Sequence, residues 1–251
     1  MVYVYRAIFI IFSLTILSCT RNLPNECKDE NRGHQILDSI TSLESLTPIF
    51  PNTFKENENL IAINNKDIYI DLKYATKDNF MGEVLYSSIK TVYLQKDVVE
   101  RLYKCQSYLS NIDSNLHLLV YDGLRPLSVQ QKMWKALDTL PINQRVKFVS
   151  NPKNGSVHNY GAAIDLTICD NNRNVLDMGA GYDDVREIAY PKYEEKFLST
   201  GDLSQQQVNN RKLLRKIMRK EGFRNIPTEW WHFNACSRKE AKEKYKLILE
   251  E

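Results

Sequence analysis

The sequence predicts an α+β fold, a single domain built on a small, mainly antiparallel sheet flanked by helices. The 251 residues are 43% hydrophobic, which is enough to bury one sizeable core, and the length favours one domain or at most two. Segments with strand and helix periodicity follow one another irregularly rather than in a β-α repeat. That irregular order favours an α+β arrangement over a parallel sheet.

The first predicted strand and helix lie between residues 68 and 109. Every second residue from Ile68 to Tyr74 is apolar, which indicates a half-buried strand. From Leu94 to Leu109 apolar residues recur at helical spacing, with most charges between them. This pattern predicts a surface helix that buries one face.

A second strand and helix are predicted around Arg125. Residues 117–122 form a short apolar run typical of a core strand, and Arg125 lies in its exit loop. Pro126 prevents the strand from continuing. Ser128 and Gln131 have the spacing of a capping box, so we expect Ser128 to cap the next helix.

The remaining elements are two strands and a charged helix. Residues 164–168 and 230–234 are predicted strands. In residues 211–220, apolar side chains recur at helical spacing among many Lys and Arg residues, which we assign to the solvated face of an amphipathic helix. The net charge of +3 is spread without a basic block, so no nucleic-acid partner is expected.

The N-terminal segment predicts export. Arg6 precedes an apolar run from Ala7 to Leu17, which is shorter than the about 20 residues of a membrane span and has the proportions of a secretory signal. The run ends in I-L-S-C at Cys19, which resembles the lipobox of bacterial lipoproteins. We expect a lipoprotein signal peptide over 1–18, a lipid on Cys19, and a membrane-anchored location in the bacterial cell envelope, on the periplasmic side. A plain signal peptide or an uncleaved anchor is the alternative.

The rest of the chain divides by composition. Residues 19–53 are polar and predict a tether with a short helix over 34–46, ahead of the main domain at 54–251. Four more cysteines, which can pair in three ways, lie in this part of the chain: Cys27, Cys105, Cys169 and Cys236. Buried thiols are an equal alternative for the last two, and no C-x-x-C spacing indicates a zinc-thiolate site.

Two short motifs carry the ligands of a metal site. They are the segment S-V-H-N-Y-G-A-A-I-D, which contains His158 and Asp165, and E-W-W-H, which contains Glu229 and His232. Two imidazoles and one carboxylate leave a fourth tetrahedral position for water on one zinc ion per chain, and Glu229 is a spare carboxylate that can take the proton from that water. A buried Asp165 without a cation would also be costly.

Strand parity constrains how these ligands meet. His158 and Asp165 would face opposite sides of one regular strand, so His158 is expected in the entry loop, with Gly161 supplying the bend. Glu229 and His232 meet the same difficulty, and Glu229 is expected at a strand end or bulge. Such a pair on a helix would indicate a di-iron bundle, but Pro227 and the absence of a second E-x-x-H motif argue against it.

These motifs resemble those of the D-alanyl-D-alanine dipeptidases of vancomycin resistance and cell-wall turnover. The resemblance covers roughly residues 60–234 and includes the segments 71–82, 121–126, 177–179 and 210–218 in the order of that family. It implies an α+β zinc peptidase that hydrolyses D-alanyl-D-alanine or a closely related cell-wall dipeptide.

The resemblance also implies roles for the remaining site residues. Ser156 would help bind the substrate carboxylate and Asp183 the free amino terminus. From the residues themselves, Glu229 is the expected general base, and the position of Arg125 after a core strand suits an oxyanion donor, although a surface arginine is the alternative.

Two other functions stay open at this stage. Residues 188–195 differ from the histidine-containing stretch that the cytoplasmic dipeptidases carry at this place, so part of the substrate pocket is expected to differ. An exported protein would also encounter peptidoglycan rather than newly made D-alanyl-D-alanine. A carboxypeptidase or endopeptidase acting on peptidoglycan stem peptides is therefore the first alternative. The second is a non-catalytic zinc-fold lipoprotein that binds wall peptide, disfavoured because both Glu229 and Arg125 are present.

Overall fold

A five-stranded mixed sheet forms the centre of the protein. The computed structural model describes residues 57–251, which lie within one compact unit. Strand order in the sheet is β2-β4-β5-β7-β6, and β2 with β4 is the single parallel pair among its pairings. A separate antiparallel pair, β1 with β3, lies outside this sheet. The α+β prediction with a mainly antiparallel sheet is confirmed.

The strands are short apart from the three in the middle of the sheet. Their bounds are β1 Leu60–Ala62, β2 Ile68–Ile70, β3 Tyr93–Gln95, β4 Leu116–Asp122, β5 Ala163–Asp170, β6 Arg224–Ile226 and β7 Glu229–Asn234. Almost every residue of β5 is buried, because helices and loops cover both of its faces.

Within residues 57–251, two long helices pack near the sheet, three short helices lie between strands, and a fourth short helix follows the last strand. Their bounds are α1 Lys96–Ile112, α2 Leu127–Ala136, α3 Ile142–Arg145, α4 Glu194–Thr200, α5 Gln205–Lys220 and α6 Arg238–Lys244. Helix α1 contacts β4 and α5. Leu102 and Leu109 of α1 and Leu214 and Ile217 of α5 have no solvent exposure, so the apolar periodicity of both helices marks the core.

Three local predictions are wrong. The first strand ends at Ile70, and Tyr74 lies in a 3-10 turn instead. Helix α2 begins at Leu127 without a side-chain cap, so Ser128 is not the capping residue. The backbone N–H groups of Leu127 and Ser128 donate instead to the carbonyls of Ile248 and Leu249, at 2.9 Å each. The C-terminal segment thus satisfies donors that a capping box would otherwise bind.

The third correction concerns the charges of α5. Residues 211–220 are helical, as predicted, but Arg211 has no exposed surface and Arg215 is 9% exposed. Both guanidinium groups face the protein interior, where Arg215 forms two hydrogen bonds with Glu194 at 2.6 and 2.7 Å. The buried charge of Arg215 is tolerated because this carboxylate is paired with it.

The N-terminal predictions lie outside the described residues. These are the signal peptide at 1–18, the lipidation of Cys19, the tether at 19–53 with its helix, and any pairing of Cys27. Within residues 57–251, no helix combines the length and apolar character needed to cross a membrane.

Candidate active site

Two strands and one turn bring the predicted metal ligands together. His158 lies in a 3-10 turn over Val157–Tyr160, ahead of β5, and Gly161 ends that turn with φ 63°. Asp165 on β5 is paired in register with His232 on the neighbouring strand β7. The turn, with its left-handed glycine, therefore does what the parity argument requires: it lets His158 reach the face on which Asp165 and His232 meet.

The three donor atoms form a triangle. His158 Nε2 lies 3.1 Å from His232 Nδ1, His232 Nδ1 lies 2.9 Å from Asp165 Oδ1, and His158 Nε2 lies 3.4 Å from Asp165 Oδ1. Ligands about 2.0–2.1 Å from a tetrahedral zinc ion are separated by about 3.3 Å. The residues present therefore fit zinc, and within residues 57–251 this is the one His/Cys/Asp/Glu group with ligand spacing.

The second nitrogen of each histidine is hydrogen-bonded, which leaves the first free for metal. His158 Nδ1 donates to the carbonyl of Gly123 at 2.6 Å, and His232 Nε2 donates to Asn234 Oδ1 at 3.0 Å. Such bonds fix the tautomer and the ring orientation of a metal ligand. Burial alone would raise the pKa of Asp165, but the two imidazoles hold it well below its usual range. The carboxylate is thus ready to bind a cation.

Glu229 lies beside the triangle and outside it. It is the first residue of β7, next to a β-bulge where the register with β6 shifts, as the parity argument predicts. Its Oε2 is 3.9 Å from His232 Nδ1, and 29% of its side chain is exposed. Burial raises its pKa above the ordinary value. A carboxyl group at this distance can exchange a proton with a metal-bound water without being a ligand itself.

Arg125 is buried, so the alternative of a surface arginine is wrong. Its Nε and Nη2 donate to Asp122 Oδ2 at 3.0 and 2.7 Å, and its Nη2 lies 3.5 Å from Asp165 Oδ2. The Tyr86 hydroxyl donates to the other oxygen of Asp122 at 2.6 Å. This fully buried carboxylate holds the guanidinium at the cleft, where Nη1 is the donor left for a ligand.

Ser156 and Asp183 both line the same cleft as the metal ligands. Ser156 Oγ accepts a hydrogen bond from the backbone N–H of His158 at 3.3 Å and so caps the ligand-bearing turn. Asp183 has a left-handed backbone, φ 61°, and accepts a hydrogen bond from the Tyr74 hydroxyl at 3.1 Å. Burial, with a contribution from Asp165, raises the pKa of Asp183 to about 8.

Comparison with known proteins identifies the family. The family model described as D-ala-D-ala dipeptidase matches residues 59–247. The chain belongs to the D-Ala-D-Ala dipeptidase family. It is 38% identical over 173 residues to a D-alanyl-D-alanine dipeptidase of Escherichia coli (strain K12), covering 69% of this chain and 81% of that protein. It is also 29% identical over 176 residues to a D-alanyl-D-alanine dipeptidase of Synechocystis, covering 59% of this chain and 71% of that protein.

A solved structure of the LD-carboxypeptidase LdcB is also similar, with a TM-score of 0.41 and 18% identity, covering 74% of this chain and 72% of that one. The family membership confirms the family predicted from the two motifs. The chain is therefore a peptidase, and its His158, Asp165 and His232 side chains fit a zinc ion.

Other residues of this dipeptidase-family site were missed by the sequence analysis. Tyr182 donates to Asp165 Oδ2 at 3.2 Å, and Asp122 orients Arg125 as described. Tyr182 directly precedes Asp183, and this adjacency to a predicted site residue was the available sequence signal. Phe80 also lines the cleft and lies in the shared segment 71–82, but its aromatic side chain gave no sign of a site role. The segment 146–150 lines the cleft outside every predicted motif, and no sequence pattern pointed to it.

The cysteines of the described region are free thiols. Cys105 and Cys169 are fully buried and Cys236 is partly buried. Burial raises the pKa of the Cys105 thiol to about 12 and that of Cys169 to about 11. These protonated thiols act as small apolar side chains, so of the two alternatives the buried thiol holds for Cys169.

Proposed function

We propose that this protein hydrolyses D-alanyl-D-alanine, or a closely related cell-wall dipeptide, with zinc held by His158, Asp165 and His232. The observation that carries the proposal is the triangle of donor atoms with Glu229 beside it in the same cleft. Zinc bound there would polarise the scissile carbonyl and lower the pKa of a bound water toward about 7.

The protein side chains have separate tasks in this reaction. Glu229 acts as the general base: it takes a proton from the attacking water and returns it to the leaving amine. Arg125 donates a hydrogen bond to the developing oxyanion, an effect worth roughly 3 to 4 kcal/mol for one well-placed donor. Because Asp122 occupies its Nε and Nη2, the guanidinium is fixed before the substrate arrives.

Recognition of both termini would restrict the substrate to a dipeptide. In this proposal Asp183 accepts hydrogen bonds from the free amino group and Ser156 donates to the carboxylate. The cleft volume of about 180 Å³ supports a small substrate, since pockets for drug-sized ligands hold about 300–1,000 Å³. A stem peptide attached to glycan would have to leave most of its length outside the cleft.

We further propose that the enzyme is an exported lipoprotein. The basic Arg6, the apolar run that follows and the lipobox-like ending at Cys19 support an acylated N-terminus that anchors the protein in the bacterial cell envelope, on the periplasmic side. The polar residues 19–53 would then act as a tether between the lipid and the catalytic domain.

Mass spectrometry of products tests the proposed activity. The zinc-loaded protein is incubated with D-alanyl-D-alanine, with L-alanyl-L-alanine as a stereochemical control, and with a muropeptide that carries a pentapeptide stem. Release of D-alanine from the free dipeptide alone supports the dipeptidase. Loss of terminal D-alanine from the muropeptide alone would show that the protein is a carboxypeptidase instead of a dipeptidase. No turnover of either substrate despite full zinc occupancy would favour a binding protein.

A further inference from the structure

One face of helix α5 is polar and buried, and it contacts the loop that carries Asp183. Its side chains lie at helical spacing, and the buried members are Asn210, Arg211 and Arg215, which are 6%, 0% and 9% exposed. Gln207 extends the row by one turn and donates to Asp177 Oδ2 at 2.8 Å. An amphipathic surface helix does not need such a row, so the buried charges call for another explanation.

Arg211 joins the two ends of one loop. Its Nε donates to the carbonyl of Met178 at 2.6 Å, and its Nη1 donates to the carbonyl of Ile188 at 3.0 Å. Asn210 reinforces the first end by donating to the carbonyl of Asp177 at 2.8 Å. The segment 178–188, here called the bridged loop, therefore begins and ends on a single guanidinium group.

The bridged loop carries two side chains of the active site. The Tyr182 hydroxyl donates to Asp165 Oδ2 at 3.2 Å, and Asp183 lines the cleft. Asp183 has φ 61°, a left-handed conformation that is uncommon for residues other than glycine. Its carboxylate accepts hydrogen bonds from the Tyr74 hydroxyl at 3.1 Å and from the backbone N–H of Phe80 at 3.5 Å, while the backbone on either side of it is anchored at Met178 and Ile188.

The choice of arginine fits this task. A buried guanidinium is unfavourable unless its donors are paired, and the planar fork of arginine can serve two carbonyl groups at once, which a lysine ammonium does less well. Glu194 lies 3.7 Å from Nη1 and offsets part of the charge, although the same carboxylate also binds Arg215 and the buried Nη2 of Arg211 has no hydrogen-bond partner. Gly179 lets the loop approach the helix, because a Cβ there would lie 2.3 Å from Leu203 Cδ2.

We propose that Arg211 is a positioning residue that fixes the bridged loop and thereby sets Tyr182 and Asp183 for the substrate amino terminus. The inference rests on the proposed function for the role of Asp183. Arg211 itself touches no metal ligand and no cleft-lining residue through its bonds to the two carbonyls. Its effect therefore passes through the loop and falls on substrate binding more than on the chemical step.

Kinetics of Arg211→Met and Arg215→Met test this. The control Arg215→Met also breaks a buried ion pair with Glu194, but Arg215 bonds neither end of the loop. We expect Arg211→Met to raise KM for D-alanyl-D-alanine by roughly tenfold or more with kcat and zinc content near native values, and Arg215→Met to leave KM within about twofold. Equal KM values in the two variants would overturn the proposal.

Hydrogen exchange separates this inference from the proposed activity. Amides 179–187 should exchange faster in Arg211→Met than in Arg215→Met and the native protein, with no substrate present. Unchanged exchange in Arg211→Met would refute the role of Arg211, whatever the enzyme hydrolyses. A native protein that leaves the dipeptide intact would instead refute the proposed function, and exchange would still decide whether Arg211 holds the loop. If Arg211→Met does not fold, Arg211→Lys, which can reach one carbonyl at a time, replaces it.

Discussion

Replacing Glu229 by glutamine separates metal binding from proton transfer. Glutamine keeps the shape of the side chain but cannot accept a proton at the pH of the reaction. Glu229 Oε2 lies 3.9 Å from His232 Nδ1, whereas the three donor atoms lie within 2.9 to 3.4 Å of one another. Because Glu229 stands outside this triangle, Glu229→Gln should keep its zinc.

The expected loss follows from what a general base contributes. Positioned acid or base groups accelerate reactions by about 10² to 10⁴, which corresponds to about 2.7 to 5.5 kcal/mol of activation free energy. Arg125, the proposed oxyanion donor, remains in place in this variant, so residual activity should stay above that of the uncatalysed reaction. We expect kcat to fall by at least about a hundredfold and KM to change little.

The assay pairs zinc content, measured by mass spectrometry of the metal, with D-alanine release across pH. In the native enzyme kcat/KM should rise with pH through the pKa of Glu229, which burial places above its ordinary value, because the group is a base only when ionised. This acidic limb should be absent in Glu229→Gln. Loss of zinc in the variant would make Glu229 a ligand, and near-native kcat would remove it from the mechanism.

Four further outcomes are expected. His232→Ala should lose zinc and hydrolysis together, and chelation of the native enzyme should do the same until zinc is restored; a metallated, active variant would remove His232 from the ligand set. Arg125→Lys should lower kcat at least about tenfold with little change in KM, and a rise in KM alone would assign Arg125 to substrate binding. Dipeptide affinity should be highest near pH 8, because Asp183 becomes ionised as the pH rises through its pKa of about 8, while the substrate amino group loses its charge above about pH 8. Asp183→Asn should therefore remove the fall in affinity on the acidic side of this pH profile. Cys19→Ala should abolish acylation and release the protein from the detergent-extracted membrane fraction, and an intact mass with unmodified native Cys19 would contradict the anchor.

Local sequence rules predicted how His158, Asp165 and His232 come together because part of that arrangement is fixed locally. The parity of a strand is fixed by sequence spacing, so the turn at His158 and the bulge beside Glu229 follow from the spacing of the ligands alone. The pairing of Asp165 with His232 was not predictable in this way, since it depends on which strands become neighbours. The shared ligand chemistry of the two motifs supplied that information instead.

The predictions that failed depend on contacts between distant segments. The first donors of α2 are satisfied by the carbonyls of Ile248 and Leu249, so no capping side chain is required. The buried state of Arg211 depends on Met178 and Ile188, which no periodicity of the helix can reveal. Amphipathic spacing places charges away from the apolar stripe, but it does not distinguish water from a polar loop on the opposite face.

The position of Arg125 relative to the metal site is set by backbone bonds, and this decides how its variants should be read. The backbone N–H of Arg125 donates to the carbonyl of His158 at 3.1 Å, and His158 Nδ1 donates to the carbonyl of Gly123 at 2.6 Å. Asn159 Nδ2 donates to the carbonyl of Arg125 at 2.8 Å. None of these bonds uses the Arg125 side chain. The exit loop of β4 and the ligand-bearing turn should therefore stay joined in Arg125→Lys, so zinc should be retained and a fall in kcat would report the missing guanidinium rather than a displaced His158.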